Sequence, residues 1–296
     1  MPDRATLVAF VSFVILGGVN FVAVRFSNRE LDPMFGAGLR FALAALLLTA
    51  VFLLRRQQVP KGRALAGVLL YGLLSFGGAY AFAYYALSYL PAGIGSVIFA
   101  SMPLFVVILA HFHGLEQFRM RALAGAIVTL VGIAILSNPF AATSVPLLPL
   151  LAMLMSAVIA AEGAVVAKMF PPVKPVVANA VGMAAGAVLL LLLSTFLGEN
   201  WRLPTVAATQ WAVGYLILAS AVMFALFIFV IQRWSAGSAS YMAAVLPLTA
   251  VIAAAIMLGE PITLTMVAGG LVVLTGVYIG ALAPARRAIE PAPIAG

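Results

Sequence analysis

Ten apolar runs of about 20 residues each recur along this 296-residue chain, and nothing else in the sequence restricts its fold as strongly. About 20 residues of helix cross the hydrocarbon core of a bilayer, and a lipid interior offers no partner for exposed peptide groups. The runs extend from Ala5 to Val24, Met34 to Leu54, Ala64 to Leu87, Ala92 to His111 and Met120 to Ser137, then from Leu147 to Lys168, Val176 to Leu197, Gln210 to Gln232, Gly237 to Leu258 and Leu264 to Ala283. They are continuously apolar rather than alternating every second residue, so they predict helices and not the strands of a barrel. The fold expected is an all-α membrane bundle of ten transmembrane helices. Arg4 precedes the first run as it would in a secretion signal, but the run is followed by no small-x-small cleavage site, so it is read as the first span.

Composition agrees. Apolar residues make up 65% of the chain and charged residues 8%, too few to cover a water-facing surface, which excludes a soluble enzyme. The net charge of +8 is scattered between the apolar runs rather than gathered into a patch, so it indicates membrane orientation and no nucleic-acid partner. Counting connections alternately, twelve basic residues (Arg4, Arg55, Arg56, Lys61, Arg63, Arg119, Arg121, Lys168, Lys174, Arg233, Arg286 and Arg287) fall on one side and three (Arg25, Arg29 and Arg202) on the other. The positive-inside rule makes the basic side cytoplasmic and with it both termini. Without cysteine there is no thiolate metal site or thiol nucleophile, and no metal or cofactor is expected.

The sequence matches itself at an offset of 144 residues: Ala92–Ser137 aligns without gaps on Ala236–Ala281. Apolar coincidences carry little weight, but Gly93 pairs with Gly237, Ser96 with Ser240, Pro103 with Pro247, Glu116 with Glu260, Gly125 with Gly269 and Gly132 with Gly276. Five spans per half is an odd number, so the second half enters the membrane from the opposite side. The expected organisation is a first five-helix repeat over 1–140, a second, inverted repeat over 141–283, and a disordered cytoplasmic tail over 284–296. Inverted repeats of this kind build secondary transporters with a substrate site near the midplane.

Ten spans as five plus five, with matched A-G-x-x-S and G-E elements at the fourth and ninth helices, resemble the drug/metabolite transporter superfamily, EamA type, over nearly the whole chain. The Tyr-rich third helix is most similar to the aromatic amino-acid exporters in that family. The resemblance implies a secondary transporter of the bacterial inner membrane that exports aromatic and other neutral amino acids by alternating access. The family's Trp-Gly in helix one is replaced here by Leu16-Gly17-Gly18.

Several residues are candidates for the transport path. Pro103 and Pro247 fall at the midpoints of helices four and nine, where each removes an amide donor and clashes with the carbonyl four residues earlier, at Phe99 and Ala243. A symmetric pair of kinks would offer those carbonyls to a substrate ammonium, although prolines also simply shape membrane packing. Phe76, Tyr80 and Tyr84 recur every four residues along one face of helix three, and the tyrosine hydroxyls need polar partners that a ligand cavity would supply. Tyr241, near Ser238 and Ser240, is a weaker companion. Glu162 is a candidate ammonium contact and proton-coupling group, within snorkelling reach of the surface. Asn20 and Asn179 are uncharged polar candidates. Arg40 is expected to pair with Asp32 or Glu30, and Glu116 and Glu260 to suit the positive N-termini of helices five and ten. His111 and His113 lack a nearby carboxylate in sequence and read as interfacial residues rather than metal ligands.

The central cavity is expected among helices one, three, four, six, eight and nine, within a single chain. Its alternative occupants are drug-like or nucleoside-like amphiphiles. A membrane-embedded enzyme would need paired carboxylates, an HExxH motif or a nucleophile with an orienting base inside a span, and none occurs. Gly93-Ile94-Gly95 follows no strand and is no phosphate cradle, and there is no Walker motif.

Overall fold

The computed structural model describes residues 4–115, 120–137, 146–233 and 236–279. They form ten helices: α1 (Arg4–Ser27), α2 (Pro33–Leu54), α3 (Gly62–Tyr89), α4 (Ala92–Phe112), α5 (Met120–Ser137), α6 (Leu147–Met169), α7 (Pro175–Phe196), α8 (Ala207–Arg233), α9 (Ala236–Leu258) and α10 (Leu264–Val277). Seven are long and apolar enough to cross a membrane, and α5, α9 and α10 supply shorter apolar stretches. Glu116 and the tail beyond residue 283 lie outside the described residues, as do the side chains of Ser238, Ser240 and Tyr241.

The helix pairings have a symmetry that the sequence repeat foretells. α2 packs against α7, α4 against α9 and α5 against α10, each with its own counterpart in the other half. α1 packs on α8 and α9, while α6 packs on α3 and α4. Exchanging the halves therefore returns the same set of contacts, as two inverted five-helix repeats require. In lipid, close backbone approach drives such pairing, and small residues permit it. At Gly72 in α3 a Cβ would lie 2.2 Å from the carbonyl oxygen of Gly182 in α7, and at Gly18 in α1 it would lie 2.8 Å from the amide nitrogen of Ala250 in α9. The repeat-matched glycines Gly132 of α5 and Gly276 of α10 meet the partner helix's backbone in the same way.

Two helices depart from regular geometry, and both departures move candidate residues. α3 contains a π segment, Leu73–Gly78, whose wider turn changes the facing of residues on either side. α4 is interrupted between Ala92–Phe99 and Met102–Phe112. At the break Ile98 O accepts from both the amide and the hydroxyl of Ser101, and Pro103 sits in the first turn of the new segment, where its missing N–H is harmless. α9 instead runs unbroken through Pro247, while Thr249 Oγ1 donates to Val14 O at 2.9 Å and ties α9 to α1. The two prolines are thus not equivalent: one begins a helical segment after a break and the other lies within a continuous helix.

The end of the bundle opposite the basic side is tightly closed. Glu260 accepts from Arg25 Nη1 at 2.9 Å, Ala92 N at 3.0 Å and Gly93 N at 3.3 Å, so it caps α4. It was expected at the start of α10, which Thr263 caps instead by accepting from Met266 N. The carboxylate does stabilise a positive helix terminus, but across the repeat interface rather than along the chain. Glu199 likewise accepts from Met34 N and Phe35 N at the start of α2. Asp32 accepts from Asn200 N, and Glu30 from Thr205 and Val206. The Thr205 hydroxyl and amide hold the Glu30 carboxyl down at a pKa of about 2.

Candidate functional site

A cavity of about 460 Å³ occupies the middle of the bundle. Helices α1, α3, α4, α6, α8 and α9 form its walls, as expected from the sequence, and α2 adds a single residue, Arg40. The lining reaches Leu115 and Lys168, both exposed, at the basic end, and stops at the buried Val24 and Leu87 toward the other. Among the described residues the cavity therefore reaches exposed side chains at the basic end and ends on buried ones at the other.

Most of the wall is apolar. Phe13, Phe21 and Asn20 come from α1, Phe99 and Met102 from α4, and Met223, Phe224 and Phe227 from α8. Tyr80 and Tyr84 line it as expected. Phe76 does not: it is fully buried between α2, α7 and α8, with its ring 5.2 Å from Phe41 and 4.7 Å from Phe224. The π turn accounts for this, since Ser75 takes the lining position that a regular helix would give to its neighbour. Phe99 and Ala243 line the cavity, whereas Pro103 and Pro247 are buried beside it with Met102 and Leu246 exposed to it in their place.

Glu162 is also absent from the wall. Ser156, Ala160, Ala164 and Lys168 recur every four residues on the cavity face of α6, and a residue two positions from Ala160 points about 200° away. Its Oε1 lies 2.7 Å from His113 Nε2 at the basic end, which supplies the histidine with the carboxylate that its sequence neighbours lack. Asn179 is buried against α3, where its Oδ1 accepts from the Tyr71 hydroxyl at 3.5 Å, and is a packing residue.

Arg40 is the principal residue that sequence reasoning misplaced. It pairs with neither Asp32 nor Glu30, whose carboxylates are occupied in the closed end, and it is completely buried at the cavity. Its Nε donates to Ser220 Oγ at 2.6 Å and its Nη1 to the Tyr84 hydroxyl at 3.4 Å. The guanidinium carbon lies 4.8 Å from the Phe41 ring centroid and 5.0 Å from that of Tyr80, within cation–π range. Nη2 has no partner. Among the described residues no carboxylate lines the cavity. A signal for this was present in the sequence. The positions three and four residues to either side of Arg40 are Gly36, Ala37, Leu43 and Ala44, so no acid on its own helix could have paired with it.

Two other lining residues carry an unpartnered buried polar atom, Asn20 Oδ1 and Ser156 Oγ. A buried cation and neutral acceptors in an apolar, one-ended cavity make a binding site for a polar-headed, apolar-bodied solute. Among the described residues no group of three or more His, Cys, Asp or Glu side chains could hold a metal.

The profile of the EamA-like transporter family matches residues 4–138 and, a second time, residues 147–281. The chain belongs to that family. Each match covers one five-helix half, so the EamA-type repeat and the pairing symmetry describe the same duplication. This EamA-type chain is a multi-pass membrane transporter and not an enzyme. It is 26% identical to a probable amino-acid metabolite efflux pump of Salmonella typhimurium, over 90% of this chain and 91% of that protein. It is 28% identical to an uncharacterized inner membrane transporter, YedA, of Escherichia coli K12, over 95% and 93% respectively. A protein of known crystal structure shares the fold with a TM-score of 0.69 at 20% identity, covering 95% of this chain and 99% of that one.

Proposed function

We propose that this EamA-type transporter exports neutral and aromatic amino acids from the cytoplasm across the bacterial inner membrane, as a monomer, by alternating access around the central cavity. The observation that carries the reading is Arg40: a fully buried guanidinium at an apolar cavity, with Nη2 unpartnered and, among the described residues, no carboxylate beside it. A cation held in low dielectric without a counter-ion calls for an anionic ligand, and Arg is suited to carboxylates by its planar array of donors. The apolar walls receive the side chain. The printed name of the Salmonella relative supports the same substrate class. The open end is the basic end, which the positive-inside rule assigns to the cytoplasm with both termini, so this conformation loads substrate from the cytoplasm as an exporter must.

Glu162 and His113 stand beside the open end rather than in the cavity, so proton coupling through Glu162 acts at that end and not through the substrate ammonium. Glu162→Gln is then expected to flatten the pH dependence of transport without changing substrate preference, and an unaltered pH profile removes Glu162 from coupling. The function itself is tested by reconstituting the protein in liposomes loaded with a mixture of amino acids and measuring which of them leave. Selective release of neutral and aromatic amino acids is expected. Absence of release from folded protein, together with release of amphiphilic cations, would overturn the amino-acid reading.

A further inference from the structure

Asn20 presents a second polar group to the cavity, of opposite character to Arg40. It is 6% exposed, and its Nδ2 donates to Leu16 O at 3.2 Å and approaches Met223 Sδ at 3.6 Å. A carbonyl oxygen only accepts, so the contact with Leu16 fixes the orientation of the amide and leaves Oδ1 as a dedicated acceptor. The Leu16 carbonyl also takes the Tyr215 hydroxyl at 2.7 Å, which holds this part of α1 against α8. Asn20 Oδ1 itself has no partner. An acceptor left open in a membrane interior is costly unless something arrives to fill it.

Helix α8 sets the spacing between the two groups. Ser220 holds Arg40 and Met223 contacts Asn20, and residues three apart share a helix face, about 4.5 Å along the axis. Arg40, with an unpartnered donor, and Asn20, with an unpartnered acceptor, therefore line one cavity and are held by α8 residues about one helical turn apart. An α-amino acid carries the complementary pair, carboxylate and ammonium, on a single carbon.

We propose that Asn20 Oδ1 is the ammonium-recognition group of this site, so that the transporter selects zwitterionic α-amino acids over simple carboxylates of the same size. The proposal rests on the assignment of the cavity to amino-acid substrates with Arg40 on the carboxylate. Because the acceptor is a neutral amide and no acid among the described residues lines the cavity, the ammonium is held by hydrogen bonding and not by an ion pair. Asn20 thus sets selectivity, while Arg40 sets whether any carboxylate binds.

The test is competition binding to the purified full-length protein in nanodiscs, with radiolabelled L-phenylalanine displaced by unlabelled L-phenylalanine or by 3-phenylpropionate, which keeps the ring and carboxylate but has hydrogen in place of ammonium. Phenylalanine is expected to compete at least about tenfold more strongly, as befits a hydrogen bond from a charged group. In Asn20→Leu the preference should disappear through loss of phenylalanine affinity, with 3-phenylpropionate affinity unchanged. Equal competition by the two ligands in the unmodified protein overturns the proposal whatever the variant does, and so does an Asn20→Leu protein that keeps the preference or weakens both ligands alike. Failure of the underlying reading has a different outcome: neither ligand binds, or both bind equally well to Arg40→Met.

Discussion

Replacing Arg40 with methionine separates a binding role from a structural one. Arg40 is fully buried, and its contacts are two hydrogen bonds to neutral hydroxyls, at 2.6 and 3.4 Å, and two aromatic rings within 5.0 Å. It lies about 10 Å of helix rise from the Pro33 end of α2, deep enough that insertion scales place an arginine at a cost approaching 2.5–3.5 kcal/mol. Each cation–π contact returns about 0.5–2 kcal/mol and each charge-assisted hydrogen bond about 1.5–3 kcal/mol. The nominal gains, about 4–10 kcal/mol together, come from contacts that share one guanidinium and are not additive, and the insertion cost they offset is lost with the charge. Methionine has similar length, buries no charge and leaves two hydroxyls, one of which, Ser220 Oγ, already donates to Leu216 O. Replacing buried ion pairs by apolar side chains of similar volume is often neutral or stabilising, and Arg40→Met leaves no opposite charge uncompensated, since its partners are neutral hydroxyls. The thermal midpoint of Arg40→Met in detergent is therefore expected to equal or exceed that of the unmodified protein. Substrate binding behaves oppositely. Removing the partner of a desolvated carboxylate costs about 2–5 kcal/mol, which at 1.4 kcal/mol per tenfold is a loss of affinity of about 30-fold or more. Scintillation proximity binding of radiolabelled phenylalanine, alongside a thermal melt of the same sample, measures both quantities. A midpoint lowered by more than about 5 °C together with unchanged affinity per folded molecule would refute the reasoning and make Arg40 a structural residue.

Three other perturbations probe the frame around the site. Gly72→Ala places a methyl 2.2 Å from the Gly182 carbonyl oxygen and should destabilise the protein by about 1–3 kcal/mol, whereas Gly214→Ala, with nothing within 4 Å, should stabilise it by up to about 1 kcal/mol; thermal melts that rank them otherwise would contradict the α3–α7 contact. Glu260→Ala removes the link between Arg25 and the start of α4, so a cysteine introduced at Leu87 into this cysteine-free chain should be labelled about tenfold faster or more from the closed end, and an unchanged rate would show that the closure does not depend on Glu260. Glu30 has a folded pKa of about 2 against an ordinary value of 4.5, so its contribution to stability is complete above about pH 4.5 and fades as the pH falls toward 2; Glu30→Gln should lack that component of acid sensitivity in melts across this range.

The lengths of the spans, their number and the duplication were legible in the sequence because each reflects a constraint that acts locally or on every residue. Hydrocarbon thickness fixes the length of an apolar run, and an odd count of spans per half fixes the inversion. The helices that wall the cavity were read from the sequence, and Asn20, Tyr80, Tyr84, Phe99 and Ala243 are among the residues that line it. Tertiary structure decided the partners of the charged residues. Arg40 finds Ser220 180 residues away and Glu260 finds Ala92 168 residues away, separations across which sequence spacing carries no information. It also decided the rotation of side chains about their helices. A π turn of six residues in α3 moved Phe76 off the cavity face, and the facing of α6 turned Glu162 toward His113, although each had looked like a site residue. A lipid interior requires only that a polar group be satisfied, and which neighbour satisfies it is settled when the two halves pack together.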